Sequence, residues 1–343
     1  MADIVVHGAG VFGLSVAWAC LKRGARVTVV DPHGVASGAS GGLVGALAPH
    51  TPENWNDKKA LQFRSLEMAE ALWAEVAETS GQDPGYARLG RVQPVLDDRM
   101  LDLARTREAS AREVWKGRYV WQVREADGLV ALPTGLCIFD SLSARVHPRR
   151  ATSALAAAFE AKGGVVQTSG AGLSGIQVWA TGAAGLEEMS ASVGAVVGNG
   201  VKGQAALLRC DLGLVPQVFA DGLHIVPHRD GTVAIGSTSE RDYDDPSSTD
   251  AQLDALIDKA RDWVPALRDA PVIDRWAGLR PRAKSRAPMI GPHPLKPGAY
   301  IANGGFKIGF GMAPICAELL ADLILEGRDT IPDSFRPEAS FST

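Results

Sequence analysis

The hydrophobic pattern at the start of the chain changes its period twice. Residues 4–6 form a short β-branched run, and apolar or small residues then recur at helical spacing over residues 14–21. Basic residues and a glycine over residues 22–24 end this helix, and residues 25–30 form a second apolar run. The pattern predicts a strand, a glycine turn, a helix and a second strand.

The remaining pattern predicts helices along the chain and short strands near its middle. Residues 176–180 are typical of a buried strand, and residues 201–236 favour several short strands joined by turns, as in an antiparallel sheet. Elements of the βαβ type therefore flank antiparallel segments, which predicts two domains interleaved in sequence. The helical spacings lie at residues 58–79, 100–114, 151–162, 250–263 and 314–325.

Composition and charge narrow the classes of function. The 343 residues are 46% hydrophobic and 22% charged, which is typical of a folded globular protein. The net charge of −4 provides no broad cationic face, so we expect no nucleic-acid partner. The 38 glycines exceed ordinary usage, and they cluster at a few places.

The four cysteines lie far apart, without a CxxC pair or a Cys/His cluster at zinc spacing. We therefore predict no metal site and reduced thiols in a cytoplasmic protein. The N-terminal segment lacks the basic and apolar regions of a secretion signal, and no apolar run reaches about 18 residues. We expect no membrane span.

The first glycine cluster matches GxGxxG. Gly8 suits a tight turn, Gly10 lets the backbone approach a pyrophosphate, and Gly13 lets the helix pack against the strand. Asp31 ends the second strand, where its carboxylate can accept hydrogen bonds from a ribose. The free N–H groups at the helix start favour phosphate. The motif predicts a dinucleotide site, but NAD, NADP and FAD all use such a unit.

A second cluster of tiny residues begins at Ser40 and continues through Gly41, Gly42 and Leu43. A loop of such residues lets backbone lie against a flat ring, although a flexible linker is the alternative interpretation.

Taken in order, the motifs resemble the FAD-dependent amino-acid and amine oxidases of the D-amino-acid oxidase, glycine oxidase and monomeric sarcosine oxidase type. They cover most of the chain from residue 3 to about residue 326. The segments that carry the resemblance are HGAGVFG with VVDP, ASGASGG, VHPRRATSALAAAFEAKGG, VWATGA, VKGQ, HIVPHRDGTVAIGSTSE, WAGLRPRAKSRAPMIG and NGGFKIGFGMAPICAELLADLI.

The resemblance implies an α/β fold in which a Rossmann-like FAD-binding domain is interleaved with an antiparallel-sheet substrate domain. It places the FAD domain at residues 1–80, 140–200 and 280–335, and the substrate domain at residues 81–139 and 201–279.

The same resemblance implies non-covalent FAD, because the cysteine that tethers the cofactor in some relatives has no counterpart before the GFK segment. The helix predicted from Pro314 would direct its N-terminus toward the flavin, and Cys316 is expected to be a buried small hydrophobe. The implied cofactor contacts are Gly8, Gly10, Val11, Phe12, Gly13, Asp31, Pro32, Ala36, Ser37, Ser40, Gly41, Gly42, Leu43, Gly182, Gly305, Phe306, Ile308, Gly309, Phe310 and Gly311.

Three residues are implied on the substrate side. Arg280 of the GLRP segment and Lys307 of the GGFK segment would hold a substrate carboxylate, and a guanidinium can do so with two parallel hydrogen bonds. His224 lies where glycine oxidase has a substrate-contacting tyrosine, although a core histidine is an equal interpretation. Gly305 departs from the family pattern, which has a histidine there. The alternative interpretation of Arg280 and of Lys307 is that each forms an ordinary ion pair with another part of the protein.

The implied activity is oxidation of the C–N bond of a small carboxylate-bearing amine, with O2 or another acceptor reoxidising the flavin. The resulting imine would hydrolyse to an oxo acid and an amine. Two alternatives stay open: an oxidase of a carboxymethylamino group on a tRNA wobble uridine, and a non-catalytic flavin-binding subunit. Homo-oligomerisation is also open.

Overall fold

The computed structural model describes residues 2–125 and 128–341, which contain two large β-sheets and the helices packed on them. The strands are β1 (Asp3–His7), β2 (Arg26–Val30), β3 (Ala46–Leu47), β4 (Arg91–Pro94), β5 (Trp121–Glu125), β6 (Leu136–Asp140), β7 (Ala144–Arg145), β8 (Val165–Gln167), β9 (Ile176–Trp179), β10 (Gly198–Arg209), β11 (Gln217–Ala220), β12 (Leu223–Pro227), β13 (Thr232–Gly236), β14 (Val272–Ala283), β15 (Met289–Pro292) and β16 (Tyr300–Asn303). The α-helices are α1 (Val11–Lys22), α2 (Asp57–Ser80), α3 (Asp98–Val114), α4 (Pro148–Ala161), α5 (Gly182–Val193), α6 (Ala251–Trp263), α7 (Gly309–Glu326) and α8 (Glu338–Phe341).

The first sheet has six strands in the order β15-β16-β9-β1-β2-β8. Strand β1 lies between β2 and β9 and is parallel to both, and only the edge strand β15 pairs antiparallel within the described sheet. The apolar runs of these strands are short and continuous because helices cover the sheet. Helices α1, α2, α4 and α7 pack on one another beside it and share one large hydrophobic core with its strands.

The second sheet has eight strands in the order β14-β10-β13-β12-β11-β4-β6-β5. Neighbours pair antiparallel except β11 and β4, which are parallel. Strands β10 and β14 each have 12 residues, so the block predicted as several short strands contains one long strand as well. Helix α6 covers this sheet over a separate core. The predicted α/β fold class is confirmed.

The predicted start of the last helix at Pro314 is wrong. Helix α7 begins at Gly309, and Pro314 lies inside it. A proline lacks the N–H of an interior helical residue, which is why the sequence pattern favours it near a helix start. The next amide, that of Ile315, donates to Ser65 Oγ of α2 at 3.3 Å, which links this part of α7 to α2.

Helix α7 is a core helix. The segment Phe306–Glu326 is the one described segment long and apolar enough to cross a membrane, with a mean hydropathy of 1.8. However, 61% of its most apolar 18-residue stretch is buried inside the protein, and the helix contacts α1 and α2. Cys316 is fully buried in it, as the sequence predicts.

The domain boundaries stay a prediction. All strands of the six-stranded sheet lie within the segments predicted for the FAD domain. Strands β10 and β14 cross the predicted boundaries at residues 200 and 280, so each boundary falls inside a strand of the other sheet.

Candidate active site

The turn between β1 and α1 depends on two glycines. Gly8 has a φ of +113°, which L side chains rarely adopt. A Cβ at Gly13 would lie 1.9 Å from the carbonyl oxygen of Gly8, so only glycine lets the helix approach the strand this closely. Gly10 is the N-cap of α1 and offers no side-chain cap, and the first turn contains no acidic residue. The positive end of the helix dipole is therefore left for an anion.

Asp31 lies beside this turn, at the carboxyl end of β2. Its Oδ2 accepts a hydrogen bond from the amide of Ala9 at 2.9 Å, and its Oδ1 accepts one from the amide of His33 at 2.9 Å. The carboxylate is partly exposed. Because a carboxylate has about four acceptor positions, Asp31 keeps capacity for a further donor such as a ribose hydroxyl.

The second glycine loop closes over the same turn. Ser40 Oγ accepts the amide hydrogen of Val11 at 2.9 Å, and the amide of Ala36 donates to the carbonyl of Ala9 at 3.1 Å. Ala36 has a φ of +60°, an uncommon conformation for a residue with a side chain. A Cβ at Gly41 would lie 2.2 Å from the Ala36 carbonyl oxygen, so the loop can fold back only with glycine there.

The third glycine segment meets α1 from the other side. A Cβ at Gly305 would lie 2.6 Å from the ring of Phe12, the second residue of α1. Phe306 follows with a φ of +43° and begins a short 3-10 helix, Phe306–Ile308, that leads into α7. Since α7 starts at Gly309, its N-terminus lies within this segment and not after it.

These three segments form a backbone-lined cradle at the start of α1, and the cradle fits FAD. Tiny residues, a helix N-terminus whose N-cap residue has no side chain, and a carboxylate that can accept from a ribose are what a dinucleotide requires. We define the cradle as residues 8–13, 36–45 and 304–311. Trp276 of β14 packs against it, because a Cβ at Gly42 would lie 3.3 Å from the indole ring.

The other predicted cofactor residues occupy different environments. Pro32 and Ser37 are exposed beside the cradle, whereas the Leu43 side chain is buried in a small core with Val226 and Ala234. Leu43 can therefore present only its backbone to a ligand. Gly182 begins α5 with a φ of +62°, and its carbonyl accepts from the Asn303 amide at 2.9 Å. Ile308 and Phe310 are partly buried against the main core.

Arg280 lies on β14 with 8% of its surface exposed. Its Nη2 donates to the carbonyl oxygens of Thr238 at 2.6 Å and Lys202 at 3.2 Å, and its Nη1 donates to Ser237 Oγ. All three acceptors are neutral, so the guanidinium is fixed but its charge is not neutralised by an ion pair. Burial lowers the pKa of Arg280 to about 10, while Glu240 acts in the opposite direction. Arg280 remains a cation at neutral pH.

Lys307 lies near Arg280 although 27 positions separate them in the chain. Both are directed at one ring: the distance to the Phe306 centroid is 5.4 Å from Arg280 Cζ and 5.8 Å from Lys307 Nζ. Among the described residues, Lys307 makes no hydrogen bond and no ion pair. Lys307 is exposed, but loss of solvent around its ammonium group, and then the charges of Arg280 and Arg282, lower its pKa. The two predicted carboxylate-binding cations are therefore brought together.

His224 lies on the wall of the same site. It is opposite Gly236 in the pairing of β12 with β13, next to the loop that holds Arg280. Its ring packs on Phe219 with a centroid distance of 4.6 Å. Burial, and then the charges of Arg91 and Lys307, lower the pKa of His224 to about 3. The imidazole is neutral at physiological pH and cannot supply a third positive charge.

Sequence reasoning missed several residues of this site. Arg282 lies on the same ring as the two predicted cations, with its Cζ 5.4 Å from the Phe306 centroid. Lys202 and Glu240 form a buried pair at 3.6 Å beside Arg280. A signal existed for Arg282, because residues i and i+2 of a strand share a face. No local signal marks the Lys202–Glu240 pair, since it joins β10 to the segment that follows β13.

Comparison with known proteins identifies the family of the chain. The chain is 31% identical over 362 residues to a glycine oxidase of Pseudomonas aeruginosa, covering 96% of each protein. It is 30% identical over 368 residues to a glycine oxidase of Pseudomonas putida, covering 98% of each. The crystal structure of glycine oxidase from Geobacillus kaustophilus superimposes with a TM-score of 0.85 over 98% of both chains, at 23% identity, which supports the fold. The family model for FAD dependent oxidoreductases, DAO, matches residues 3–323. This match and the glycine-lined cradle lead to one conclusion: the chain belongs to the DAO family of FAD-dependent oxidoreductases.

Proposed function

We propose that the protein oxidises the C–N bond of a small amine that carries a carboxylate group. The observation that carries this proposal is the meeting of Arg280 and Lys307 beside the cradle. One cation is held in place by neutral oxygens, and the other makes no hydrogen bond or ion pair with the described chain. A carboxylate is the group that two such cations bind best. The glycine oxidase names of the two Pseudomonas relatives support the same substrate class.

Each residue has a separate task in this proposal. The Arg280 guanidinium cannot move without breaking its three hydrogen bonds. It therefore fixes the position of the carboxylate. Lys307 adds a second positive charge, because its side chain has no hydrogen bond or ion pair among the described residues and is left to pair with an anion. His224 contributes a neutral wall, which avoids a further cation near the substrate amine.

The chemistry that bound FAD would supply is that of a two-electron acceptor for oxidation of the carbon that bears the nitrogen. The nearby positive charges oppose protonation of the substrate amine, which must be neutral for its C–H bond to be oxidised. The cradle residues of the three glycine segments would hold the cofactor through backbone contacts. We further propose a reducing compartment, since no disulfide joins any two of Cys20, Cys137, Cys210 and Cys316.

The test is an anaerobic flavin-reduction screen with the FAD-loaded protein. The candidate donors are glycine, sarcosine, iminodiacetate, D- and L-amino acids and proline analogues, with methylamine and ethanolamine as carboxylate-free controls. Loss of flavin absorbance near 450 nm with carboxylated amines alone supports the proposal. Equal reduction by the carboxylate-free amines refutes the carboxylate site. No reduction by any donor favours a non-catalytic flavin subunit, and reduction by tRNA that carries a carboxymethylamino group would replace the substrate class.

A further inference from the structure

We propose that Arg282 is a specificity-determining residue that binds a second anionic group, so that the preferred substrate is an amine with two carboxylates. This inference rests on the proposed function and deepens it. Iminodiacetate and the acidic D-amino acids share the required chemistry, and the experiment below distinguishes them.

The position of Arg282 follows from the alternation of strand β14. Side chains of residues i and i+2 in a strand lie on one face of the sheet. Trp276, Arg280 and Arg282 occupy one such face: Trp276 packs against the cradle at Gly42, and both guanidinium groups lie at the Phe306 ring. Arg282 is also bridged through its backbone to Gly305 of the third glycine segment. The strand therefore directs Arg282 into the active site.

Three cations surround one ring in this arrangement. The guanidinium carbons of Arg280 and Arg282 are each 5.4 Å from the Phe306 centroid, and Lys307 Nζ is 5.8 Å from it. No two of these charges can therefore be separated by more than about twice that distance, so one small molecule with two anionic groups can reach more than one of them. Like charges this close repel one another unless an anion lies between them.

The described part of the chain does not supply enough negative charge to balance them. The Arg282 side chain, like that of Lys307, makes no hydrogen bond or ion pair with the residues in 2–125 and 128–341. The carboxylate that acts on Arg280 is that of Glu240. It is already engaged by Lys202 at 3.6 Å and by Gln204 Nε2 at 3.0 Å. The cluster thus keeps an excess of positive charge that one substrate carboxylate cannot neutralise.

A dicarboxylic amine matches this excess. One carboxylate would lie between Arg280 and Lys307, and the second would reach Arg282 on the same face of β14. Arg282 is only partly buried, so its guanidinium pays a moderate desolvation cost and can still form two parallel hydrogen bonds. The second contact adds affinity without changing the atom that is oxidised.

The experiment compares Arg282→Gln, Arg282→Lys and the wild-type enzyme, each loaded with FAD. The substrates are iminodiacetate, D-aspartate and D-glutamate, each set against its monocarboxylic counterpart sarcosine or D-alanine. The control variant is Arg275→Gln. Arg275 lies on the opposite face of β14 and forms an exposed ion pair with Asp254 at 2.6 Å, so its loss removes a charge from the same strand outside the site.

We expect wild-type kcat/KM to favour a dicarboxylate over its monocarboxylic counterpart by about tenfold or more, because one charge-assisted contact is worth at least that ratio. Arg282→Gln should reduce this preference by about tenfold, chiefly through KM, and Arg282→Lys should restore part of it. A preference for iminodiacetate would place the second carboxylate on the nitrogen substituent, and a preference for acidic D-amino acids would place it on the amino-acid side chain.

Two outcomes overturn the inference. One is an equal loss of activity on both substrate classes, which assigns Arg282 to the cofactor. The other is a dicarboxylate preference that Arg282→Gln does not alter. Turnover of monocarboxylates with no dicarboxylate preference refutes this inference alone, whereas absence of any reduction by carboxylated amines refutes the proposed function. If the variants lose flavin, inhibition of the wild-type enzyme decides: malonate should bind at least about tenfold tighter than acetate, and equal binding refutes the second anion site.

Discussion

Replacing Arg280 by alanine removes the cation that is best fixed in the active site. Arg280 is buried and held by two backbone carbonyls and one hydroxyl, so its guanidinium occupies one position in the free enzyme. Binding of a substrate carboxylate there therefore costs little conformational entropy of the arginine side chain. The substitution therefore removes binding energy that the remaining Lys307 cannot replace, because the lysine alone lacks the planar fork.

The size of the effect follows from the number of contacts. Two charge-assisted hydrogen bonds, at about 1.5–3 kcal/mol each, give a loss of about 3–6 kcal/mol in transition-state stabilisation. This corresponds to roughly 10²- to 10⁴-fold in kcat/KM. We expect most of the loss in KM, since the carboxylate is bound in both the ground state and the transition state. Arg280→Lys keeps the charge and should lie between the wild type and Arg280→Ala.

The assay is stopped-flow reduction of the flavin under anaerobic conditions, with a donor identified in the screen. The flavin content of each variant is measured first by absorbance near 450 nm. The cradle residues do not depend on Arg280 for backbone position, so Arg280→Ala should retain its yellow cofactor. Its melting temperature should fall by a few degrees, since three hydrogen bonds inside the second sheet are lost.

Unchanged kinetics of Arg280→Ala with bound flavin would refute the carboxylate assignment. A loss of flavin in proportion to the loss of activity would instead assign Arg280 to cofactor binding.

Three further predictions test other parts of the structure. Lys307→Gln should lower kcat/KM by roughly 10- to 100-fold but keep the melting temperature, because the lysine contributes no hydrogen bond or ion pair among the described residues; a large drop in melting temperature would contradict this. Gly13→Ala should destabilise the fold by about 1–3 kcal/mol and lower flavin content, because its Cβ would lie 1.9 Å from a carbonyl oxygen, whereas Gly170→Ala, with its nearest neighbour at 3.5 Å, should leave both unchanged. Burial, and then His147 and Arg145, lower the pKa of His228 to about 3, so the unfolded chain binds the proton first and stability must fall as the pH drops below the ordinary histidine value. From about pH 7 to about pH 5 this single group costs about 2 kcal/mol, and urea unfolding of His228→Gln should show a smaller loss; an identical pH dependence would contradict the assignment.

The parts of the site that the sequence predicts are those built from residues close together in the chain. The turn of Gly8 and Gly13 and the carboxylate of Asp31 belong to one strand–helix–strand unit, so the pattern of a single segment contains the necessary geometry. Resemblance extended this prediction to Arg280 and Lys307, whose positions the structure brings together. The cofactor roles of the individual cradle residues stay predictions.

Tertiary structure decided what surrounds these residues. Helix α7 starts at Gly309, before Pro314, and packs on α1 and α2, and a local proline pattern contains no information about these contacts. The neutral state of His224 depends on burial between strands and on cations from distant segments.

The sequence by itself determined the βαβ unit and a dinucleotide site, because short-range backbone geometry restricts which residues can occupy a tight turn. The family resemblance of its motifs added the α/β fold class and FAD as the cofactor. Only the tertiary structure decided that Arg280 is held by neutral oxygens, that Lys307 and Arg282 have no counter-ion in the described chain, and that all three face one ring. The physical reason is that electrostatic energy depends on distance and burial in space and not on separation along the chain.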